Sequence, residues 1–476
     1  MKQPTNTPWE TTLTIILATL TIAIPIAHYT ILALHDHYNA IQNTIYTLSL
    51  LLLLTNLIGI TLGKLKLPGK HIAIPITLMA LFATLSYFFS IDVTTSLWGT
   101  KGRYEGLLML MSYYTIFISA TLIRTDTLKL KLTQTFLFIG ILHSLYGLCQ
   151  HFNLFEPIII DRYGYSISGV TGNPNFMGTY TVLLSGLAST FFYYAKKTST
   201  RIFYYLCLLL FLFTMILTNT MSALFGTAAM ILVFFIYLVI THKNYANRIH
   251  QPLSAFKLLI ATIAIGSCGL LLLATLTDNP YLQQIQAMFA DLNQLLTNKE
   301  ITIETGARRF LVWKEASTLI PQYWLFGSGP DTFGIAYHNV FPVREEFFNK
   351  AHNEYLQVAL TQGLPALASY LLLYGTILIF SIKKLVRIIR SKSYEFDFLY
   401  SGLFIAVIGY LFQAFFNIST IDVAPFFWLL LGLLASYTTP DKTPNTTLDM
   451  TLEKAVKRKN KEELTYQHQA GGEPHV

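Results

Sequence analysis

The chain has 476 residues, of which 53% are hydrophobic and only 12% charged, with a mean hydropathy of +0.48. A soluble domain carries roughly 25% charged residues, so this composition excludes a soluble enzyme or binding module and places the chain among integral membrane proteins. The formal charge of +8 calls for no nucleic acid, because the lysines and arginines follow a topological rule instead.

A bilayer core takes roughly 20 apolar residues per helix. Spans are predicted at about 11–34, 44–62, 72–90, 106–123, 133–150, 174–195, 202–218, 222–241, 258–276, 364–382, 398–415 and 424–438. The predicted fold is therefore all-α: a polytopic membrane protein of about 12 transmembrane helices, with one large external loop, 277–354, between the ninth and tenth. The first apolar run is too long for a cleavable signal peptide and no small-residue cleavage site follows it. Residues 1–438 read as one membrane unit, and 439–476 as a polar cytoplasmic tail whose KAVKRKNKEE run suits anionic lipid. Cys149, Cys207 and Cys268 fall inside spans, which argues for packing rather than disulfides or metal ligation.

Orientation follows from the loops, since Lys and Arg favour the cytoplasm. The connections GKLKLPGKH, RTDTLKLKL, KKTSTR, HKNYANRIHQPLSAFK and KKLVRIIRSK carry seventeen basic residues, while the alternate short loops carry only Lys101, Arg103 and Arg162. Both termini are expected in the cytoplasm and the long loop outside. Within the spans the ionisable residues are essentially His28 and His143. A path of charged groups through the membrane, as a transporter would use, is not in evidence, and a lone helix histidine is normally bonded to a neighbouring helix.

The unusual polar residues gather on the external side. WGTKGRYEGLL (98–108) puts Arg103 at the interface, where it either snorkels or serves a site. SGVTGNPNFMGTY (168–180) opens a helix, with Asn173 as N-cap, Pro174 at the first helical position and Asn175 beside them. ETGARRFLVWKEASTLIPQYWLFGSGPDTFG (304–334) reads as an amphipathic helix bearing Arg308, Arg309 and Trp313, followed by a Gly/Pro turn. Its aromatic residue either anchors it on the membrane or belongs to the site. KAHNEYLQVALTQG (350–363) places His352, Asn353 and Glu354 where polar loop turns into apolar run. Arginines suit a diphosphate, through bidentate bonds and permanent charge. A neutral histidine suits a general base. If His352 lies in a helix's first turn, the dipole there disfavours imidazolium. Paired carboxylates in a convincing acid/base arrangement, G-x-S-x-G, His/Cys metal spacing and an Asp-rich metal loop do not occur. A base plus a diphosphate leaving group held by arginines describes glycosyl transfer from a lipid-diphosphate sugar.

At these residues the sequence resembles the O-antigen ligase and polymerase superfamily, the bacterial surface-glycan ligases, polymerases and protein O-oligosaccharyltransferases. The resemblance is carried by GRYEGLL (102–108), GNPNFMG (172–178), the Arg-x3-Trp of RRFLVWK (308–314), GSGPDTF (327–333) and AHNEYLQVALTQG (351–363), in the family's order along roughly 90–370. It implies a GT-C-like, inverting, metal-independent glycosyltransferase without cofactor in a bacterial plasma membrane. Its donor would be a glycan on undecaprenyl diphosphate, and its acceptor a hydroxyl of a lipid core sugar, protein or glycan chain at the external face. By the same resemblance His352 would activate the acceptor, and Arg309 and Arg103 would hold the diphosphate, with Arg308 a close substitute for Arg309. Asn173 and Asn175 would shape the pocket, and Asn353 and Glu354 would orient the histidine. One position departs from the family: Met221, in TNTMSALFG, stands where the family commonly has an arginine. That keeps open an inactive scaffold in a glycan-assembly complex, beside a flippase of lipid-linked glycan.

Overall fold

The computed structural model describes residues 7–34, 39–154, 166–245, 309–342, 348–390 and 397–438. The predicted span 258–276, Arg162, Arg308, Cys268 and the tail 439–476 lie outside them. The described residues contain helices and no strand, as a chain must when lipid offers its backbone no hydrogen bonds.

In chain order the helices are α1 (Pro8–Leu34), α2 (Asn39–Thr61), α3 (Lys70–Phe88), α4 (Val93–Trp98), α5 (Leu107–Leu122), α6 (Asp126–His151), α7 (Pro174–Tyr194), α8 (Thr198–Leu217), α9 (Met221–Tyr245), α10 (Arg309–Tyr323), α11 (Phe333–Val340), α12 (Glu354–Thr361), α13 (Leu364–Arg390), α14 (Asp397–Gln413) and α15 (Ala424–Ser436). Eleven of these match the predicted spans outside the undescribed one. Among the described residues seven helices are long and apolar enough to cross a membrane: α1, α2, α3, α6, α8, α9 and α13. Shorter apolar helices α5, α14 and α15 pack among them, so the chain is a polytopic membrane protein.

Two helices form the centre. α7 is buried almost all round, from Pro174 to Tyr193 with Asn175 the partial exception, and α15 is buried along its whole length. Small residues allow this closeness: a side chain at Gly186 would collide with the Ala406 backbone, and one at Gly432 with the Phe117 carbonyl. α15 has 13 residues, about 20 Å at 1.5 Å per residue, short of a roughly 30 Å hydrocarbon core. The non-helical segment 414–423 continues it, and Asn417, Ile418, Thr420 and Asp422 are buried there. Irregular backbone at such depth is tolerated where protein covers it or a cavity adjoins it.

α10, α11 and α12 make a cap with its own small core of Val312, Ala316, Leu319, Phe333, Tyr337 and Leu360. The backbone of the GSGPD turn makes three of the bonds that hold this cap. Ser328 N donates to Leu360 O and Gly329 N to Thr361 O, both 2.9 Å, and Ile91 N donates to Ser328 O, also 2.9 Å. Gly327 has φ +73°, and a Cβ there would collide with Thr361 and Gln362 N. The motif's glycines therefore serve close approach. Gly327→Ala is expected to cost at least about 1–2 kcal/mol from the left-handed backbone alone, seen as a lower melting temperature in detergent. The helical Gly375, whose Cβ would meet nothing within 4 Å, is the control and should tolerate alanine.

Candidate functional site

Segments distant in sequence meet at one end of the bundle: 98–106, the start of α7, 309–342 with 348–354, and 414–419. The loop before α5 presents Arg103, half-buried, with its guanidinium 5.6 Å from the Phe176 ring centroid. That contact, rather than a lipid-facing position, is where the structure puts it. α7 begins as the sequence predicts. Asn173 caps it, its side chain accepting from Asn175 N at 2.9 Å. The Asn175 carboxamide accepts from Ser222 Oγ at 3.4 Å, and Asn417 Nδ2 donates to the Asn175 carbonyl at 3.4 Å.

Arg309 opens α10 and donates from Nη1 to the Phe416 carbonyl at 2.7 Å. Burial lowers its pKa to about 10, so it stays a cation at neutral pH. Trp313, one turn on, donates from Nε1 to the Ala351 carbonyl at 2.8 Å and packs its ring against Phe415 and Phe416. It is thus a structural strut of the site and not a membrane anchor. Ala351 N in turn donates to the Gln357 side chain at 2.9 Å, so the peptide before His352 is held from both sides.

His352 has φ +51°, a left-handed conformation rare for a residue with a Cβ and one that concentrates at functional sites. It lies just before α12 and not in its first turn: Asn353 is the N-cap, accepting from Leu356 N at 3.0 Å. The expected helix-dipole effect is therefore not what keeps the ring neutral. Burial does so first, then the charges of Arg309, Arg103 and Lys350, which together lower its pKa to about 3. Neither Asn353 nor Glu354 bonds the imidazole. Asn353 is spent on capping, while Glu354 N donates to Ala414 O at 2.9 Å and its carboxyl bonds Ser419. Among the described residues no carboxylate pairs with Arg103 or Arg309.

A second layer ties these segments together, and sequence reading did not assign it. The buried Asp331, from the GSGPD turn, is ion-paired with the buried Lys350 Nζ. Its other carboxylate oxygen accepts from Thr100 N at 2.7 Å and Glu105 N at 3.2 Å. Glu105 accepts from Tyr113 Oη at 2.7 Å, and burial above all raises its pKa to about 8. The same cause raises Glu354 to about 7. One bond network thus fixes the Arg103 loop to the His352 loop. Lys350 and Asp331 stood inside quoted motifs, and their charge amid apolar sequence was the available signal.

Elsewhere the polar residues behave structurally. His143 accepts from Val170 N at 2.8 Å, the inter-segment bond expected of it. Met221 begins α9, adjacent to Ser222, which reaches Asn175. At the opposite end Lys129 pairs with Asp126 at 3.1 Å, and Arg124 donates to Ser436 O at 3.0 Å.

Chemically, these segments offer two guanidinium groups, with no carboxylate partner among the described residues, flanking a neutral imidazole. Gathering cations away from water without an anion is unfavourable, and a diphosphate matches their charge and forked geometry. A family model described as O-antigen ligase matches residues 206–371. That stretch contains Met221, Arg309, Trp313 and His352, and leaves Arg103 and Asn173 outside. No curated protein matches the chain.

Proposed function

We propose, from the premise that the chain belongs to the O-antigen ligase and polymerase superfamily through residues 206–371, that it moves a glycan from a polyprenyl diphosphate, undecaprenyl diphosphate in a bacterial plasma membrane, to a hydroxyl acceptor at the external face. The observation that carries this reading is the pair of arginines beside His352 that have no carboxylate partner among the described residues. The acceptor oxygen attacks the anomeric carbon from the face opposite the diphosphate. Its proton passes to a ring nitrogen of His352. The bond between anomeric carbon and diphosphate oxygen breaks, and its electron pair leaves with the polyprenyl diphosphate, whose charge Arg103 and Arg309 hold. One displacement gives inversion. The lysine and arginine distribution of the loops supports the external placement and cytoplasmic termini.

The testing experiment is transfer by the purified chain from a polyprenyl-diphosphate-linked glycan to lipid core sugar, peptides or glycan, each with and without EDTA. Product in the wild type, persisting in EDTA, is expected on one acceptor class. Met221→Arg would place a third guanidinium at the start of α9 and is expected to lower the KM for donor with kcat little changed. Product from Met221→Arg alone, with none from the wild type on any acceptor, would show the natural chain to be a scaffold.

A further inference from the structure

Two spanning helices, α3 and α13, carry outward rows of apolar side chains. The exposed Ile74, Leu81 and Phe88 share one face of α3, and the exposed Leu364, Leu371 and Ile379 share one face of α13. Rows made for lipid should stop where the spans stop. At the end remote from the basic loops 64–70 and 383–390 they do not. Exposed apolar residues carry on through segments that span nothing: Phe89 and Ile91 after α3, Trp98 at the end of α4, and Trp324 with Leu325 after α10. The two tryptophans are 49% and 53% exposed.

These residues form one surface with the rows. The Phe89 ring stacks on Phe326 with centroids 4.3 Å apart. Leu364 N donates to the Trp324 carbonyl at 2.7 Å, which sets 324–326 against the first residue of α13. Across 85–98 and 320–326 the single acidic or basic residue is Asp92, and its carboxylate is spent capping α4, accepting from Thr95 N at 2.8 Å. The next charge after Trp98 is the exposed Lys101. The surface thus passes from aliphatic to aromatic to charged, the order in which a bilayer passes from acyl chains through its interface to water. A monomer rarely leaves such a patch in water. A second copy of the chain could cover an isolated patch, whereas this one prolongs two lipid-facing rows.

The patch also adjoins the site. Trp98 lies shortly before Arg103, and Trp324 to Phe326 run directly into the GSGPD turn. Asp331 of that turn accepts from Thr100 N and Glu105 N on either side of Arg103. Both segments that fix the Arg103 loop therefore start from this surface.

We propose that 88–98 and 324–326 are seated in the interfacial layer of the outer leaflet, and that this lipid seat holds the Arg103 loop at headgroup depth. The seat rests on the membrane placement and orientation of α3 and α13, and it stands whether or not the chain transfers glycan.

The experiment uses the full chain in lipid nanodiscs and reads tryptophan emission from the wild type, Trp98→Phe and Trp324→Phe. Each difference spectrum isolates one indole, and phenylalanine keeps the surface apolar so that the variants fold. The probes are phosphatidylcholine brominated near the headgroup end of its acyl chains, and iodide in the water. Both difference spectra are expected to be quenched severalfold by the brominated lipid and little by iodide. Quenching by iodide with none by the lipid would put the patch in water and overturn the seat. Quenching by neither would mean that protein covers it, a second copy or the span 258–276, and would overturn the seat equally. The anchoring has its own readout. Trp98→Gln combined with Trp324→Gln should speed amide hydrogen exchange at 99–105 severalfold and leave α15 unchanged. Exchange at 99–105 that matches the wild type would overturn the hold on the Arg103 loop.

Discussion

His352→Ala should lower glycan transfer by roughly 10²–10⁴-fold, the range for loss of a general base, while leaving donor binding nearly intact. The ring makes no hydrogen bond among the described residues, and the peptide before it is held by Trp313 and Gln357. Removing the imidazole therefore unties nothing else, and the variant should fold. A flippase or scaffold would tolerate the change. The pH dependence carries a second signature. With the site empty, burial and three cations keep the imidazole neutral down to about pH 3. A bound diphosphate offsets those cations and so raises the ring's proton affinity. The histidine's acid limb should consequently lie at higher pH in kcat, which reports the bound state, than in kcat/KM, which reports the free enzyme. Coincident limbs would count against a base surrounded by donor-binding cations.

Arg309→Ala and Arg103→Ala should each lower transfer by roughly 10²–10³-fold, the scale for losing one group that stabilises developing charge, with weaker binding of polyprenyl diphosphate. Lysine should restore little at either position, since an ammonium lacks the forked donor pair. The two sites differ in a useful way. Arg309 also donates to the Phe416 carbonyl, so its loss leaves that carbonyl short of a partner and should cost some stability, whereas Arg103 leans on Phe176 and should cost little. Either substitution takes a positive charge from beside His352, so the ring's pKa should rise, an effect read directly from the histidine's NMR titration. A ring that titrates identically in wild type and both variants would mean that these groups do not share one site.

Much of the fold was legible because lipid leaves so few options: runs of roughly twenty apolar residues broken by basic loops specify helices and their order. The helix start at Asn173–Pro174 was equally legible, from cap chemistry within three residues. Arg103, Arg309 and His352 were readable as a set through their resemblance to a family. The position of His352 was not, because a backbone at φ +51° before an Asn cap leaves no mark in residue types. The segment 414–419, whose first two residues fall in the predicted span 398–415, carried no sign of the site, since its contribution is a carbonyl from Phe416 and ring faces for Trp313. Asp331 and Lys350 escaped for a different reason. Their partners lie in segments whose pairing leaves no periodicity along the chain.

That separation has a consequence for how the protein is made. Glu105 meets Asp331 across 226 residues, and Ser86 meets Thr361 across 275. At ~5–20 residues per second, the loop bearing Arg103 waits roughly 10–45 s after synthesis before its anchor emerges. Over that interval the early helices are already in the bilayer, and neither the cationic pair nor the imidazole pocket exists. On the proposed reading, a nascent or truncated chain would not capture and strand a carrier lipid, and catalytic competence would arrive only when the last helices insert.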